Sequence, residues 1–330
     1  MKATAQAGAN IAFVKYWGAL DPELHLPLNN SISLTLDQAT TLVTVEFSPH
    51  VGEDVGEDVI ELEGRRAEGR VRERVVRFLD HLRRLSGTDE RARVASQSTF
   101  PVATGLASSA SLFAGMAVAG LAALGLALEP REVSTIARLG SGSAARSVFG
   151  GWVEWVAGGR HEDSYAYPLK PRDWWPVRDI IVIVSQEPKE SPSLAGHAAA
   201  RTSPCFAGRL ASTSEHLALA RTAIFTRDLE ALGTVAEAEA LLLHAVSMTT
   251  DPPALYWLPA TVAVMRQVWA WRREGMPVYF TLDAGPNVHV LTTPEEAPRV
   301  ATGLCAVDGV QRTIVCQPGG PPVLGDVHLF

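Results

Sequence analysis

Apolar and polar positions alternate in four stretches near the start of the chain: residues 10–16, 31–36 (Ser31-Ile-Ser-Leu-Thr-Leu36), 41–47 (Thr41-Leu-Val-Thr-Val-Glu-Phe47) and 58–62. That period of two predicts strands. Between the last two lies Val51-Gly-Glu-Asp-Val-Gly-Glu-Asp58, an acidic tandem repeat without the ligand spacing of a calcium loop, which reads as a surface turn. Val71, Val75, Phe78, Leu79, Leu82 and Leu85 then recur at helical spacing and predict an amphipathic helix over about 68–86. A strand at 93–98 leads into a loop, Pro101 to Ala110, and a helix of small apolar residues from Ala110 to about Leu128. A short helix near 131–138, a Gly/Ser loop and a strand at 152–156 follow. Arg172 to Arg178, with Trp174-Trp175-Pro176, reads as the link to a second half. That half begins with a buried strand at 180–184 and continues as helices near 205–225, 228–247 and 254–274. Strands at 277–283 and 287–292, a helix at 294–303 and a strand at 311–316 complete it. Strands, then helices, then returning strands predict an α+β protein of two intertwined halves, divided as residues 1–175 and 176–330.

Composition narrows the function classes. The 330 residues are 47% hydrophobic and 20% charged, ordinary for a globular protein. A net charge of −7 implies no general affinity for nucleic acid. Cys205, Cys305 and Cys316 are far apart and form no C-x-x-C, against both a disulfide framework and a cysteine metal site; a reducing cytoplasm is expected. The first residues carry no signal-peptide core, and no apolar run of membrane-spanning length is free of charges and breakers. The nine histidines form no H-E-x-x-H, so no zinc site is expected.

Four places carry candidate chemistry. In Pro101-Val-Ala-Thr-Gly-Leu-Ala-Ser-Ser-Ala110, Gly105 allows close backbone approach, and Ser108 and Ser109 fall at a helix start with its unpaired N–H groups. This is either an anion site, most often for phosphate, or a serine cap on a core helix. Neither G-x-x-x-x-G-K-[ST] nor a strand-borne G-x-G-x-x-G is present. Only four of the 29 basic residues are lysine, and Lys15 lies in the apolar run Asn10-Ile-Ala-Phe-Val-Lys-Tyr-Trp-Gly18. It is either a snorkelling edge lysine or a buried ammonium that counters phosphate or polarises a hydroxyl. In Gly140-Ser-Gly-Ser-Ala-Ala-Arg-Ser147 the hydroxyls donate and Arg146 offers a planar fork for carboxylate or phosphate; the alternative is a flexible connector. Asp283, ahead of Ala284-Gly285-Pro286-Asn287, either caps a turn or points into a cleft.

These stretches, with Leu26-Pro-Leu-Asn-Asn-Ser-Ile-Ser-Leu-Thr-Leu36, Phe149-Gly-Gly-Trp-Val-Glu-Trp155, Thr202-Ser-Pro204, His244-Ala245, Pro252-Pro253 and Tyr279-Phe-Thr-Leu-Asp-Ala-Gly-Pro-Asn287, run in order along nearly the whole chain. Together they resemble the GHMP small-molecule kinase superfamily, and within it the diphosphomevalonate decarboxylase branch. The resemblance implies the GHMP kinase fold. That fold joins an N-terminal ATP-binding half, like domain 2 of ribosomal protein S5, to a ferredoxin-like C-terminal half across a cleft. It implies ATP and Mg²⁺ as cofactors, a phosphorylated mevalonate as substrate, and a homodimer. It also implies roles. Pro101, Gly105, Leu106, Ala107, Ser108 and Ser109 would hold ATP, with Ser108 or Ser109 near the γ-phosphate and Mg²⁺. Asp283 would face the substrate's tertiary hydroxyl, Arg146 its carboxylate and Lys15 the phosphate–hydroxyl junction, while Tyr16, Ser141 and Ser143 seat the substrate.

The chain departs from the branch's pattern in three places. Ala19 follows Trp-Gly where a lysine is usual. In Ser191-Pro-Ser-Leu-Ala-Gly-His197, Ser193 is retained, Leu194 occupies the Arg/Thr position and His197 replaces methionine. Ser98 stands where asparagine is common beside the nucleotide. Two cations that help hold a diphosphate are therefore missing, and a charged hydrogen bond is worth roughly 1.5–3 kcal/mol. The expected reaction is ATP-dependent decarboxylation of mevalonate 5-phosphate to isopentenyl phosphate. The alternatives are the 5-diphosphate as substrate, a kinase that stops at the 3-phosphate, and a non-catalytic binding protein.

Overall fold

The computed structural model describes residues 1–51, 56–102, 104–188 and 191–330. Residues 52–55 of the acidic repeat, Ala103 of the loop, Lys189 and Glu190 lie outside the described residues.

The first strand runs from Lys2 to Val14, eight residues earlier than alternation predicts. Its opening is built of alanine and glycine, which carry little hydrophobic signal, yet Ala5, Ala7 and Ala9 are buried. A register shift between Gly8 and Asn10 breaks the period. Ahead of it, Ala5 and Ala7 pack with Phe113 and Ala114. Beyond it, Ile11 and Phe13 pack with Ile224, Leu232 and Val235 from the second half. The pairing slips by three residues there, from Gly8 opposite Thr40 to Asn10 opposite Thr35, and the two parts of the strand enter different cores.

The two strands expected at 31–36 and 41–47 are one strand, Ser31–Ser48, continuous through the polar pair Asp37-Gln38. It pairs with Lys2–Val14 along its length, with Trp152–Trp155 at one end and with Arg91–Ser98 at the other. Val59–Leu62 runs parallel to Arg91–Ser98, and the helix Gly69–Ser86 makes the crossover such a pair requires. In the second half, an antiparallel sheet is ordered Tyr279–Thr281, Val288–Thr292, Arg178–Ile183, Arg312–Cys316. One face buries Ile180 and Val182 against Val264, Val268 and Val300; the other carries Ile181 and Ile183 into the core shared with the first half.

The halves interleave. Val323–Gly325 returns to pair with the first strand, and the helices Phe206–Thr226 and Leu229–Met248 pack against it. By length and composition Leu229–Met248 could cross a membrane, but Glu237 and Glu239 on it pair with Arg272 and Arg209. Alternation missed the strand Ala166–Lys170 and the helix Ser193–Ala199, both short and mixed in polarity.

Candidate active site

Lys15 follows the last residue of the first strand, and its side chain is 1% exposed, so it is not an edge lysine. Its ammonium donates to Ala12 O at 2.6 Å and to Asp283 Oδ1 at 2.8 Å. Its backbone is equally fixed: the N–H donates to Glu239 Oε2, and the carbonyl accepts from Asn29 and Arg209. Glu239, fully buried, also pairs with Arg209 and His216, so two helices of the second half brace this one residue of the first. Burial pulls the Lys15 pKa down; Asp283 and then Glu239 oppose it, and the net direction is downward.

Asp283 lies just past the Tyr279–Thr281 strand. Burial pushes its carboxyl up, but the Lys15 ammonium, together with the nearby His289 and Arg146, outweighs that and holds it below the ordinary aspartate range. It is therefore a carboxylate at neutral pH, on the wall of a cavity. The following turn is welded to the Pro101–Ala110 loop. Gly105 (φ +89°) lies against Gly285 so closely that a Cβ on either would sit 2.4 Å from the other's Cα. Asn287 Nδ2 donates to Thr104 O at 3.1 Å, while its Oδ1 accepts from Val184 and Ser185 N–H. Gly105 thus serves backbone against backbone, joining the loop to Asp283, besides leaving the loop open to a ligand.

Ser108 is not the helix cap. The residue before the helix Ser108–Ala123 is Ala107, in the left-handed conformation (φ +51°), with no side-chain cap bond. The hydroxyls of Ser108 and Ser109 are thus in the first turn, and the helix start keeps its positive end for an anion. Ser109 Oγ lies 3.0 Å from Ser141 Oγ, and Ser141 Oγ 3.4 Å from Ser143 Oγ, so the two serine loops form one polar wall.

Arg146 is buried, and every hydrogen-bond partner seen for it is neutral: Asn10 Oδ1, Ser33 Oγ and Ser31 Oγ. The Gly/Ser loop is therefore anchored, not a flexible connector: Asn10 also donates to Ser143 O and Ser147 Oγ. Burial pulls the guanidinium down to about 10, and Asp283 opposes this. It stays charged, fixed in orientation and without a bonded carboxylate, which suits an anionic ligand.

These groups line a cavity of about 1110 Å³, slightly above the usual range for small-molecule sites of roughly 300–1,000 Å³. Tyr16, Ser98, Gly105, Ala107, Ser108, Ser109, Ser141, Ser143, Arg146, Ser193, Leu194 and Asp283 are all on its wall. Pro101, Leu106, Lys15 and Ala19 are not. Leu106 is buried in the core, Lys15 lies behind Asp283, and Ala19 pairs with Pro27 in a small hairpin. Ser98 faces the cavity, but both its N–H and its hydroxyl donate to Glu63.

The sequence reading missed Arg74. On the helix Gly69–Ser86 it reaches the cavity wall, donates from Nε to Gly140 O at 2.6 Å and stacks 4.8 Å over Phe113. Burial pulls it down to about 10, with the nearby Tyr16 phenol opposing. The available signal was the spacing of Arg70, Arg74 and Arg77 on one helical face, hidden because nearly every basic residue in this chain is arginine. Tyr16 itself is pushed upward by burial and remains a protonated donor.

Among the described residues no group of three or more His, Cys, Asp or Glu could hold a metal ion. Mg²⁺ does not need such a cage, since it keeps several waters and binds largely through substrate phosphates. The first-turn hydroxyls of Ser108 and Ser109 fit that donor chemistry.

The two interleaved halves, with a serine-bearing helix start and a lysine-paired aspartate on the wall of one cavity, have the GHMP kinase type of fold that the solved structures below share. Residues 7–166 match the diphosphomevalonate decarboxylase-like N-terminal domain and residues 179–322 the mevalonate 5-diphosphate decarboxylase C-terminal domain. The chain belongs to the mevalonate phosphate and diphosphate decarboxylase family. It is 37% identical over 326 residues to a phosphomevalonate decarboxylase of Haloferax volcanii, covering 97% of each chain. It is 36% identical to the diphosphomevalonate decarboxylase of Aspergillus fumigatus, covering 93% of this chain and 81% of that one. Among solved structures it superimposes with a TM-score of 0.92 on a complex of MDDEF with MVAPP, AMPPCP and magnesium, at 35% identity and 99% coverage of both chains. A mevalonate diphosphate decarboxylase from Staphylococcus aureus gives 0.92 at 35% identity and 98% coverage of both.

Proposed function

We propose that this chain uses ATP to phosphorylate the tertiary hydroxyl of mevalonate 5-phosphate and then expels that phosphate together with CO₂, giving isopentenyl phosphate. The observation that carries the chemistry is the Asp283 carboxylate, kept ionised by Lys15 and joined backbone to backbone to the Gly105 loop. A group that takes a proton and a loop that suits ATP phosphates therefore move as one body.

In this reading Asp283 accepts the hydroxyl proton as the C3 oxygen bonds to the γ-phosphorus and ADP leaves. Lys15 offsets the negative charge gathered at that junction. Ser108 and Ser109 would hold Mg²⁺, which when bound would neutralise charge on the phosphates. Arg146 grips the C1 carboxylate, keeping the C1–C2 bond aligned with the C3–O bond. When C1–C2 breaks, its electron pair becomes the C2–C3 double bond, and the C3–O pair departs with phosphate. Nothing else has to store the electrons, which explains the use of ATP in a decarboxylation.

The choice of a monophosphate is supported by Leu194. It lies on the cavity wall, 46% exposed, at the position where the branch commonly carries a cation or hydroxyl. Steady-state assays of ADP and CO₂ on both substrates test it. We expect kcat/KM for the 5-phosphate to exceed that for the 5-diphosphate by about tenfold or more; the reverse order overturns the choice. The 5-phosphate is assigned to the Tyr16–Arg74 end of the cavity. Arg74→Met is expected to raise KM for the phosphorylated substrate about tenfold, the cost of one charged hydrogen bond. A KM within twofold of the parent would remove Arg74 from the site. Cytoplasmic location and a homodimer belong to the same proposal, supported by three unpaired cysteines and by the family resemblance respectively.

A further inference from the structure

The chemistry above leaves one buried acid without a task. Glu239, on the helix Leu229–Met248, is 0% exposed, and its two oxygens have different partners. Oε2 accepts from the Lys15 backbone N–H at 2.9 Å and lies 3.3 Å from Arg209 Nη2. Oε1 lies 2.7 Å from His216 Nδ1, the shortest of the three contacts. A carboxylate only accepts, so Nδ1 carries a proton there. Arg209 and His216 stand seven residues apart on the helix Phe206–Thr226, two turns along one face. Arg209 also donates to the Lys15 and Trp17 carbonyls and to Asn29 Oδ1. The N–H and the carbonyl of Lys15 are thus held by side chains of opposite charge, and its ammonium, 2.8 Å from Asp283, follows the backbone.

A carboxylate can turn about its last bond. With no partner on Oε1, both oxygens can face the Arg209 guanidinium in the bidentate geometry such pairs favour, and the Lys15 N–H then loses its acceptor. His216 holds Oε1 away from that arrangement. It does so from the edge of the network: its side chain is 16% exposed, whereas those of Glu239 and Arg209 are 0%. The charged groups around the ring are Glu239 on the facing helix and Glu215 and Arg209 on its own. The bond to Glu239 raises the His216 pKa above its ordinary 6.5, against the pull of burial. Burial pushes Glu239 up, and His216, Arg209 and the Lys15 N–H outweigh it.

We propose that His216 is a positioning residue for phosphoryl transfer: by fixing one oxygen of Glu239 it leaves the other on the Lys15 N–H, and so keeps the Lys15 ammonium in register with Asp283. This rests on the reading of Lys15 and Asp283 as the reacting pair and ties their alignment to a proton at a solvent-facing ring. Below the raised pKa the bond from the imidazolium to Glu239 is charge-assisted. As pH rises through that value the bond becomes a neutral one, and the hold on Oε1 weakens.

Two substitutions separate charge from donation. His216→Asn keeps an N–H near the Nδ1 position without the charge, and His216→Leu removes both. At about pH 6, kcat for ADP formation from ATP and mevalonate 5-phosphate should fall about tenfold in His216→Leu and about fivefold in His216→Asn, with both KM values within twofold. The parent-to-Asn ratio of kcat should then shrink to within about twofold by about pH 9, where the parent ring has lost its charge. Taking the ratio cancels the ionisations of Lys15 and Asp283, which both enzymes share. Thermal midpoints show which variants fold. A ratio that does not change with pH overturns the proposal, as does a folded His216→Leu enzyme with kcat within twofold of the parent at about pH 6. Where His216→Leu does not fold, the ratio decides alone. A rise in KM with kcat unchanged also overturns it, because a residue that aligns the transfer step acts on kcat. Near-parent turnover by Asp283→Asn overturns instead the reading of the reacting pair, and that measurement leaves His216 untouched.

Discussion

Asp283→Asn is expected to lower kcat by about 10³-fold or more, the upper part of the range for loss of a general base. ATP should still bind with near-parent affinity. The amide oxygen can still accept from Lys15, so the local packing is preserved, but it cannot take a proton from a tertiary hydroxyl. The substitution also strips Lys15 of the charge that opposes its desolvation. A buried ammonium without its counter-charge tends to lose its proton, and the charge offset at the phosphoryl junction is then lost as well. Two contributions fall together, so the loss should exceed that of a simple base deletion. Turnover of ADP and CO₂, beside equilibrium binding of a fluorescent ATP analogue, checks this. A kcat within tenfold of the parent would remove Asp283 from the chemistry.

The periodicities located most of the fold because long strands and helices bury one face and advertise it. They failed where burial is two-sided or the residues are small. The first strand is invisible from Lys2 to Ala9 because alanine and glycine are buried without a hydrophobic signature. The break that alternation predicts at Asp37-Gln38 is a polar stretch of one continuous strand. The candidate site was legible as separate residues: Lys15, the Ser108–Ser109 loop, Arg146 and Asp283 each stood out by type and setting. Their relations were not. Local chemistry left Lys15 open between an edge position and burial, and only its pairing with a residue 268 positions away decides it. Arg74 is hidden on a helix whose periodic signal comes from its apolar face, and His197 shows in the sequence only as a departure from the branch's pattern. A contact between distant residues leaves no trace in local spacing, so what the sequence could not show was mainly which groups share a partner.

Gly285→Ala is expected to cost about 100-fold in kcat/KM for ATP, although the residue bears no functional group and need not touch substrate. Its added methyl would lie 2.4 Å from Gly105 Cα and 2.6 Å from Thr104 O. Backbone cannot swing aside as a long side chain can, so the loop and the Asp283 turn must separate. A displacement of about 1 Å between reacting groups is enough for a loss of this size. Gly105→Ala meets the same contact and adds the strain of a positive φ for a residue with a Cβ, so its loss should be larger and its thermal midpoint lower. Gly208→Ala is the control: it lies exposed within the helix Phe206–Thr226, where a Cβ meets nothing within 4 Å, and should be neutral or slightly stabilising. If Gly285→Ala leaves kcat/KM for ATP within threefold of the parent while Gly208→Ala behaves as expected, the two loops are not mechanically joined. Asp283 would then have to be oriented by Lys15 alone. A large loss in Gly285→Ala with only a small fall in its thermal midpoint would instead mean that the glycine pair acts on geometry more than on stability. The invariant of the site would then be the spacing between a proton acceptor and a phosphate loop, set by the absence of two side chains.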